Sequence, residues 1–295
     1  MKTKISLMLT RDRQNGIPAV LDLLRTNPVK GRKVLLKPNF NTADEFPGST
    51  HNDTLAVLIQ ELRKNGALSI TVADRSGPAS TSEVIREKGV DALCAKLGAD
   101  LINLENLPDS EWVRIVPKEG HWNDGFLAAR PLVESECVVS TCCLKTHGFG
   151  GVFTMSLKLS IGMVHKKNMN ELHLSVRSMR KMIAEANLAY SPSLILLDGI
   201  EAFVDGGPMT GTRKSTGVLI AGTDRIAIDA VGLAVLKETG SNKAVMSKKI
   251  FEQEQISRAV ELGIGVSSPD SIEIVTPDKE SEKYAAKLRR ILNEG

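Results

Sequence analysis

The sequence predicts a three-layer α/β protein, a mostly parallel sheet with helices on both faces. Two observations carry this. Short apolar, often β-branched runs alternate with longer runs of helical period, the order expected of strand–helix–strand units. Several of the short runs also end in a polar residue leading into a turn. Strands of open sheets present such residues at the edge where ligands bind.

Taken in order, Lys33–Lys37 (Lys-Val-Leu-Leu-Lys) reads as a strand. Leu55, Leu58, Ile59 and Leu62 then recur at helical spacing, with Asn52 or Asp53 placed to cap the helix and Gly66 to stop it. Residues 69–73 read as strand and 82–97 as a helix broken at Gly89. Further strands are expected at 101–104, 137–141, 193–197 and 217–221, and helices at 152–163, 174–188 and 226–237. A last helix (248–262), strand (272–275) and helix (281–292) close the chain. Residues 105–135, which hold both tryptophans, are less regular and read as an excursion from the sheet. Residues 240–295 carry few special groups and read as structural, within a single α/β domain over 1–295.

Bulk properties narrow the function. The chain has 38 basic and 35 acidic side chains, interspersed, for a net charge of +3; with only 4% aromatic residues this argues against a dedicated nucleic-acid surface. The early apolar run Ile5-Ser6-Leu7-Met8-Leu9 is too short for a signal-peptide core, and no later run approaches a membrane span, so a cytoplasmic protein is expected. The four cysteines, Cys94, Cys137, Cys142 and Cys143, form no Cys-x-x-Cys pair, so ferredoxin-type clusters and zinc ribbons lack their spacing.

Chemistry concentrates at 142–151, Cys-Cys-Leu-Lys-Thr-His-Gly-Phe-Gly-Gly, where two thiols, Lys145, Thr146 and His147 precede three glycines that admit a ligand close to the backbone. Lys37, Asp74, Lys145 and Asp198 each stand at or just beyond a predicted strand end. If the strands are parallel, these ends converge on one crevice, with Asn39 just beyond Lys37. Two charges sit in apolar surroundings: Asp229 within 226–236 and Lys158 within 152–164. Each needs a partner or a shifted pKa, and a mutual pair or a Lys158–Asp198 pair would satisfy that need as well as a catalytic role would. The loop 205–214, with Gly207 and Gly211, offers backbone N–H groups to an anion, as does the helix start at Thr50-His51; a plain turn and a plain cap explain them equally. Cys143 lies four residues before His147, a spacing that admits a metal pair. Adjacent cysteines on extended chain face opposite ways, so Cys142 would not join it.

Together and in this order, Lys37-Pro38-Asn39, Thr50-His51, Lys145-Thr146-His147, Lys158 with Gly162, Asp198-Gly199, Gly207-Pro208 with Gly211, and Asp224 through Asp229-Ala230 resemble the family known as domain of unknown function 362. The likeness spans roughly residues 30 to 237. It implies a site at these residues without implying a reaction. Many members of that family carry a ferredoxin-like four-iron module, whose cysteine spacing this chain lacks. Members typically have Lys-Asn followed by Gly where this chain has Lys158-Leu159-Ser160-Ile161-Gly162.

The leading expectation is an enzyme acting on a small anionic or phosphorylated metabolite. His147, Lys145, Asp198 and Lys158 would be its catalytic groups, and Lys37, Asn39, Thr50, His51, Asp74, Thr146, Gly207 and Gly211 would hold the ligand. A divalent cation at Asp74, Asp198, Asp229 or Cys143 is a further expectation. Two alternatives stay open, a metal- or iron–sulfur-linked redox or maturation protein and a non-catalytic metabolite-binding protein. The sequence leaves the oligomeric state undetermined.

Overall fold

The structure, a computed structural model, describes residues 2–294. Among the described residues, eleven strands are formed: β1 Thr3–Leu9, β2 Lys33–Lys37, β3 Ser69–Asp74, β4 Asp100–Asn103, β5 Trp112–Ile115, β6 Phe126–Ala129, β7 Val138–His147, β8 Val152–Thr154, β9 Pro192–Gly206, β10 Gly211–Gly222 and β11 Ile272–Val275. Nine belong to one sheet, ordered β11-β1-β10-β9-β7-β2-β3-β4 with β8 paired to β7; β5 and β6 form a separate two-stranded hairpin. The run β9-β7-β2-β3-β4 is parallel throughout, and antiparallel pairs enter only at β1–β10, β10–β9 and β7–β8. The predicted mostly parallel three-layer architecture is the one formed.

Strand alternation divides the interior between the two faces. Cys142, Leu144, Ile195 and Leu197 pack on one side under the helices Arg225–Thr239 and Lys279–Glu294. Cys143, Leu194 and Leu196 pack on the other against Arg13–Leu23 and Asn52–Lys64. Beyond residue 240, β11 lengthens the sheet beside β1 and the final helix covers it. Among the described residues, no helix is long and apolar enough to cross a membrane.

Three local expectations are corrected. β7 continues to His147 because Lys145–His147 gain a second partner, antiparallel β8. Residues 152–163 are therefore not one helix: Val152–Thr154 is strand, and only Ser156–Leu159 forms a helical turn before the 3-10 segment Ser160–Met163. Asp198 does not end its strand, since β9 and β10 run on together as a long hairpin closed at 207–210. That hairpin brings Pro208 and Met209 over the end of β7.

Candidate functional site

Beyond the C-terminal ends of β2, β3 and β7 lies a cavity of about 380 Å³, within the range of small-molecule sites. Lys37, Asn39, Asp74, Lys145, His147 and Lys158 line it, so six of the sequence-derived candidates meet there. Arg75, Asn41, Thr154 and His173 complete its polar wall. Phe149, Leu159, Ile161, Met169 and Met209 give it an apolar one.

Each basic group is positioned by different means. Lys37, at the end of β2, donates to an Asp74 carboxylate oxygen (2.6 Å) and to Pro38 O (2.9 Å). Desolvation lowers its pKa and the Asp74 charge opposes that shift. Asp74 also accepts the Phe40 N–H (2.6 Å) and the Arg75 N–H (2.7 Å), so its carboxylate is engaged on both oxygens. Gly162 makes room for this pair: a Cβ there would lie 2.5 Å from Asp74 Oδ1 and 2.7 Å from Lys37 Nζ. Arg75 is buried, with its guanidinium donating to the carbonyls of Val164, Ile161 and Ser76 at 2.6–2.7 Å.

Lys145 is fully buried, and its Nζ donates to Gly48 O (2.5 Å) and Pro208 O (3.0 Å), both neutral carbonyls. Desolvation without a paired carboxylate pulls its pKa to about 8. Lys158 is part-buried on the Ser156–Leu159 turn. Desolvation first, then the neighbouring Lys145 and Arg75 charges, brings it to about 8 as well. Its turn is anchored from below. Asp229, wholly buried in the helix Arg225–Thr239, accepts the N–H groups of Ser156 (2.7 Å) and Leu157 (3.0 Å). Burial raises Asp229 to about 7 despite those hydrogen bonds.

His147 Nδ1 accepts the Gly151 N–H (3.3 Å), an arrangement that assigns the proton to Nε2. Desolvation, followed by the Lys158 and Lys145 charges, holds its pKa down at about 2, so the ring is a neutral donor at physiological pH. Thr154, opposite Lys145 in the β7–β8 pairing, is only 7% exposed, and its hydroxyl finds no partner among the described residues.

The remaining candidates lie elsewhere. Asp198 does not line this cavity; it accepts from Arg13 Nε (2.7 Å), Thr54 Oγ1 (2.5 Å) and the Ile200 N–H (3.2 Å). It pairs with Arg13, and neither it nor Asp229 pairs with Lys158. Thr50 exchanges hydrogen bonds with Asn39, and His51 caps the helix Asn52–Lys64 by accepting the Asp53 N–H. His51 lines a separate hollow of about 500 Å³ with Arg13, Lys88 and Arg213. Thr146 donates to Phe203 O and Gly206 O, away from the cavity.

In the glycine loop the Gly207 N–H is spent on Thr210 O (2.7 Å). Gly207 instead permits close approach. Its φ is +71°, and a Cβ there would lie 2.2 Å from Thr146 O. Gly211 pairs with Gly206 at the start of β10. The expected cation site is dispersed: Asp74 is on Lys37, Asp198 on Arg13 and Asp229 on the Ser156 turn, while Cys143 is buried against Asn39 with its thiol pKa raised by desolvation. No group of three or more His, Cys, Asp or Glu among the described residues is arranged to hold a metal ion.

The sequence reading missed Arg75, Asn41 and His173 as cavity residues. Arg75 directly follows Asp74, and that adjacency to a strand-end carboxylate was the available signal.

Comparison with known proteins agrees with the sequence resemblance. The model of the family described as "Domain of unknown function (DUF362)" matches residues 34–234, and the chain belongs to that family. The chain is 26% identical over 254 residues to a thylakoid-associated protein of Synechocystis sp., covering 80% of this chain and 75% of that protein. Among solved structures, it is similar to the lactate racemase apoprotein of Thermoanaerobacterium thermosaccharolyticum at 13% identity and a TM-score of 0.49, covering 96% of this chain and 85% of that one. A Thermotoga maritima protein is similar at 14% identity and a TM-score of 0.47, covering 75% of this chain and 56% of that one.

Proposed function

We propose that the cavity of this family member binds a small anionic metabolite, a carboxylate or phosphate ester with a short apolar body, and that the protein acts on it as an enzyme. The observation that carries this is the charge balance of the cavity wall. Lys37, Arg75, Lys145 and Lys158 converge on it, and its one carboxylate, Asp74, is already spent on Lys37. The Arg75 guanidinium and Lys145 Nζ donate only to neutral acceptors, and a desolvated cation without an ion-pair partner is costly until an anion arrives. The apolar wall of Phe149, Ile161, Met169 and Met209 suits a short hydrocarbon part of the ligand. His147 Nε2 and the unpartnered Thr154 hydroxyl supply directional hydrogen bonds to it. Lys158, brought close to neutral pH, is the group that exchanges a proton with the bound molecule.

A thermal-shift and calorimetric series with inorganic phosphate, acetate and pyruvate tests the binding. The wild type should be stabilised by at least one of these anions, and Lys145→Ala should lose most of that stabilisation while keeping its circular dichroism spectrum. Equal shifts in both proteins would remove the reading.

A further inference from the structure

Three lysines line the cavity, and two are committed. Lys37 is held by Asp74 and Pro38 O, and Lys145 by the carbonyls of Gly48 and Pro208. Lys158 has neither a hydrogen-bond nor an ion-pair partner among the described residues, and it is less buried than the other two. It nevertheless does not sit on a loose loop. Asp229 fixes the start of its turn through two N–H groups, and Asn187 holds the turn's far side by donating to Leu157 O (2.9 Å) and Ser160 Oγ (3.2 Å). A free amine is thus mounted on a braced element, facing a cavity whose other cations can hold a carboxylate.

From this placement we infer that Lys158 is a nucleophile, and that the ligand class is a 2-oxo acid whose carbonyl it captures as an imine. The inference rests on the anion-binding reading above. Lys145 and Arg75 would hold the acid's carboxylate beside the amine. Lys158 Nζ forms a bond to the carbonyl carbon as the C=O π bond breaks. One amine proton passes to the former carbonyl oxygen, giving a carbinolamine; that oxygen then takes the second amine proton and leaves as water while the C=N bond forms, giving a neutral imine. Nothing is oxidised or reduced. Thr154 Oγ1 is the unsatisfied hydroxyl on this wall available to the carbinolamine oxygen. Enzymes obtain such lysines by desolvation beside another cation, and Lys145 and Arg75 are the nearby cations here. The carbonyls on Lys145 occupy two of its three donor positions, which disfavours it as the nucleophile.

The test is reductive trapping. The protein is incubated with pyruvate and sodium cyanoborohydride, and the product is read by intact mass and peptide mapping, with pyruvate binding measured separately by calorimetry. The inference expects one reduced adduct per chain, mapped to Lys158 and absent in Lys158→Arg, a variant that keeps the positive charge. Binding of pyruvate with no adduct, or an adduct spread over surface lysines, would overturn the nucleophile while leaving the anion site intact. Neither binding nor adduct would overturn this inference. If phosphate and acetate also failed to bind, the reading it rests on would fall with it.

Discussion

Two polar clusters lie near β7, one around Asp198 and one around the cavity, and they resolve their charge differently. In one, the Asp198 carboxylate meets Arg13, the Thr54 hydroxyl and the Ile200 N–H, so each charge faces its opposite. In the other, Lys145, Lys158 and Arg75 surround a cavity and meet carbonyls or nothing. The first arrangement stabilises the fold on its own. The second is electrostatically incomplete, and the proposed reading rests on that incompleteness rather than on the mere presence of ionisable groups.

The contrast can be broken by removing one group from each cluster. Arg13→Ala should have the largest effect on stability, costing about 3–5 kcal/mol because it strands a buried carboxylate. Chemical denaturation would read that loss, and anion affinity should stay at the wild-type value. A parallel loss of affinity would show that the two clusters are coupled.

Asp229→Ala comes next. It leaves the Ser156 and Leu157 N–H groups without their acceptor, at roughly 1–3 kcal/mol each. Here affinity should fall along with stability, since the turn carrying Lys158 loses its anchor. Retained affinity in a folded variant would show that Asp229 does not position Lys158.

Gly162→Ala is smaller, about 1–3 kcal/mol of overpacking strain. Its methyl would press directly on the Lys37–Asp74 pair, so the effect should appear at the cavity as weaker anion binding by titration calorimetry. An unchanged titration would mean that the pair yields without disturbing the site.

The smallest effect over the ordinary working range is with pH. Lys145 and Lys158 titrate near 8 when folded, against 10.5 for the unperturbed side chain. Between those values the unfolded chain binds more protons, so these two groups make the unliganded protein more stable as pH rises through that window. Anion affinity should move the opposite way and fall as pH passes about 8. Affinity that is flat from pH 7 to 9 would contradict the assignment.

The parallel half of the sheet was legible because β2, β3 and β4 are short apolar runs with strand-like composition, bounded by turns. The β9–β10 hairpin was not, since Asp198-Gly199 reads locally as a strand end while cross-strand pairing carries both strands onward. The helix Arg13–Leu23 escaped because Gly16 and Pro18 lie inside its period. In the site, Lys37, Asp74 and Lys145 were found from their places at strand ends. Asp198 stood in the same sequence context and lies outside the cavity, because Arg13, Thr54 and the Ile200 N–H take up its carboxylate. Pairing of that kind belongs to tertiary structure, and strand-end position alone does not reveal it.

The most direct test of the central claim is the location of a bound oxyanion. Crystals soaked in sodium selenate should show an anomalous peak inside the cavity, within hydrogen-bonding reach of Lys145 and Lys158, and no such peak in Lys145→Ala crystals. A peak confined to the hollow lined by His51, Lys88 and Arg213, or occupancy in the cavity unaffected by losing Lys145, would contradict it.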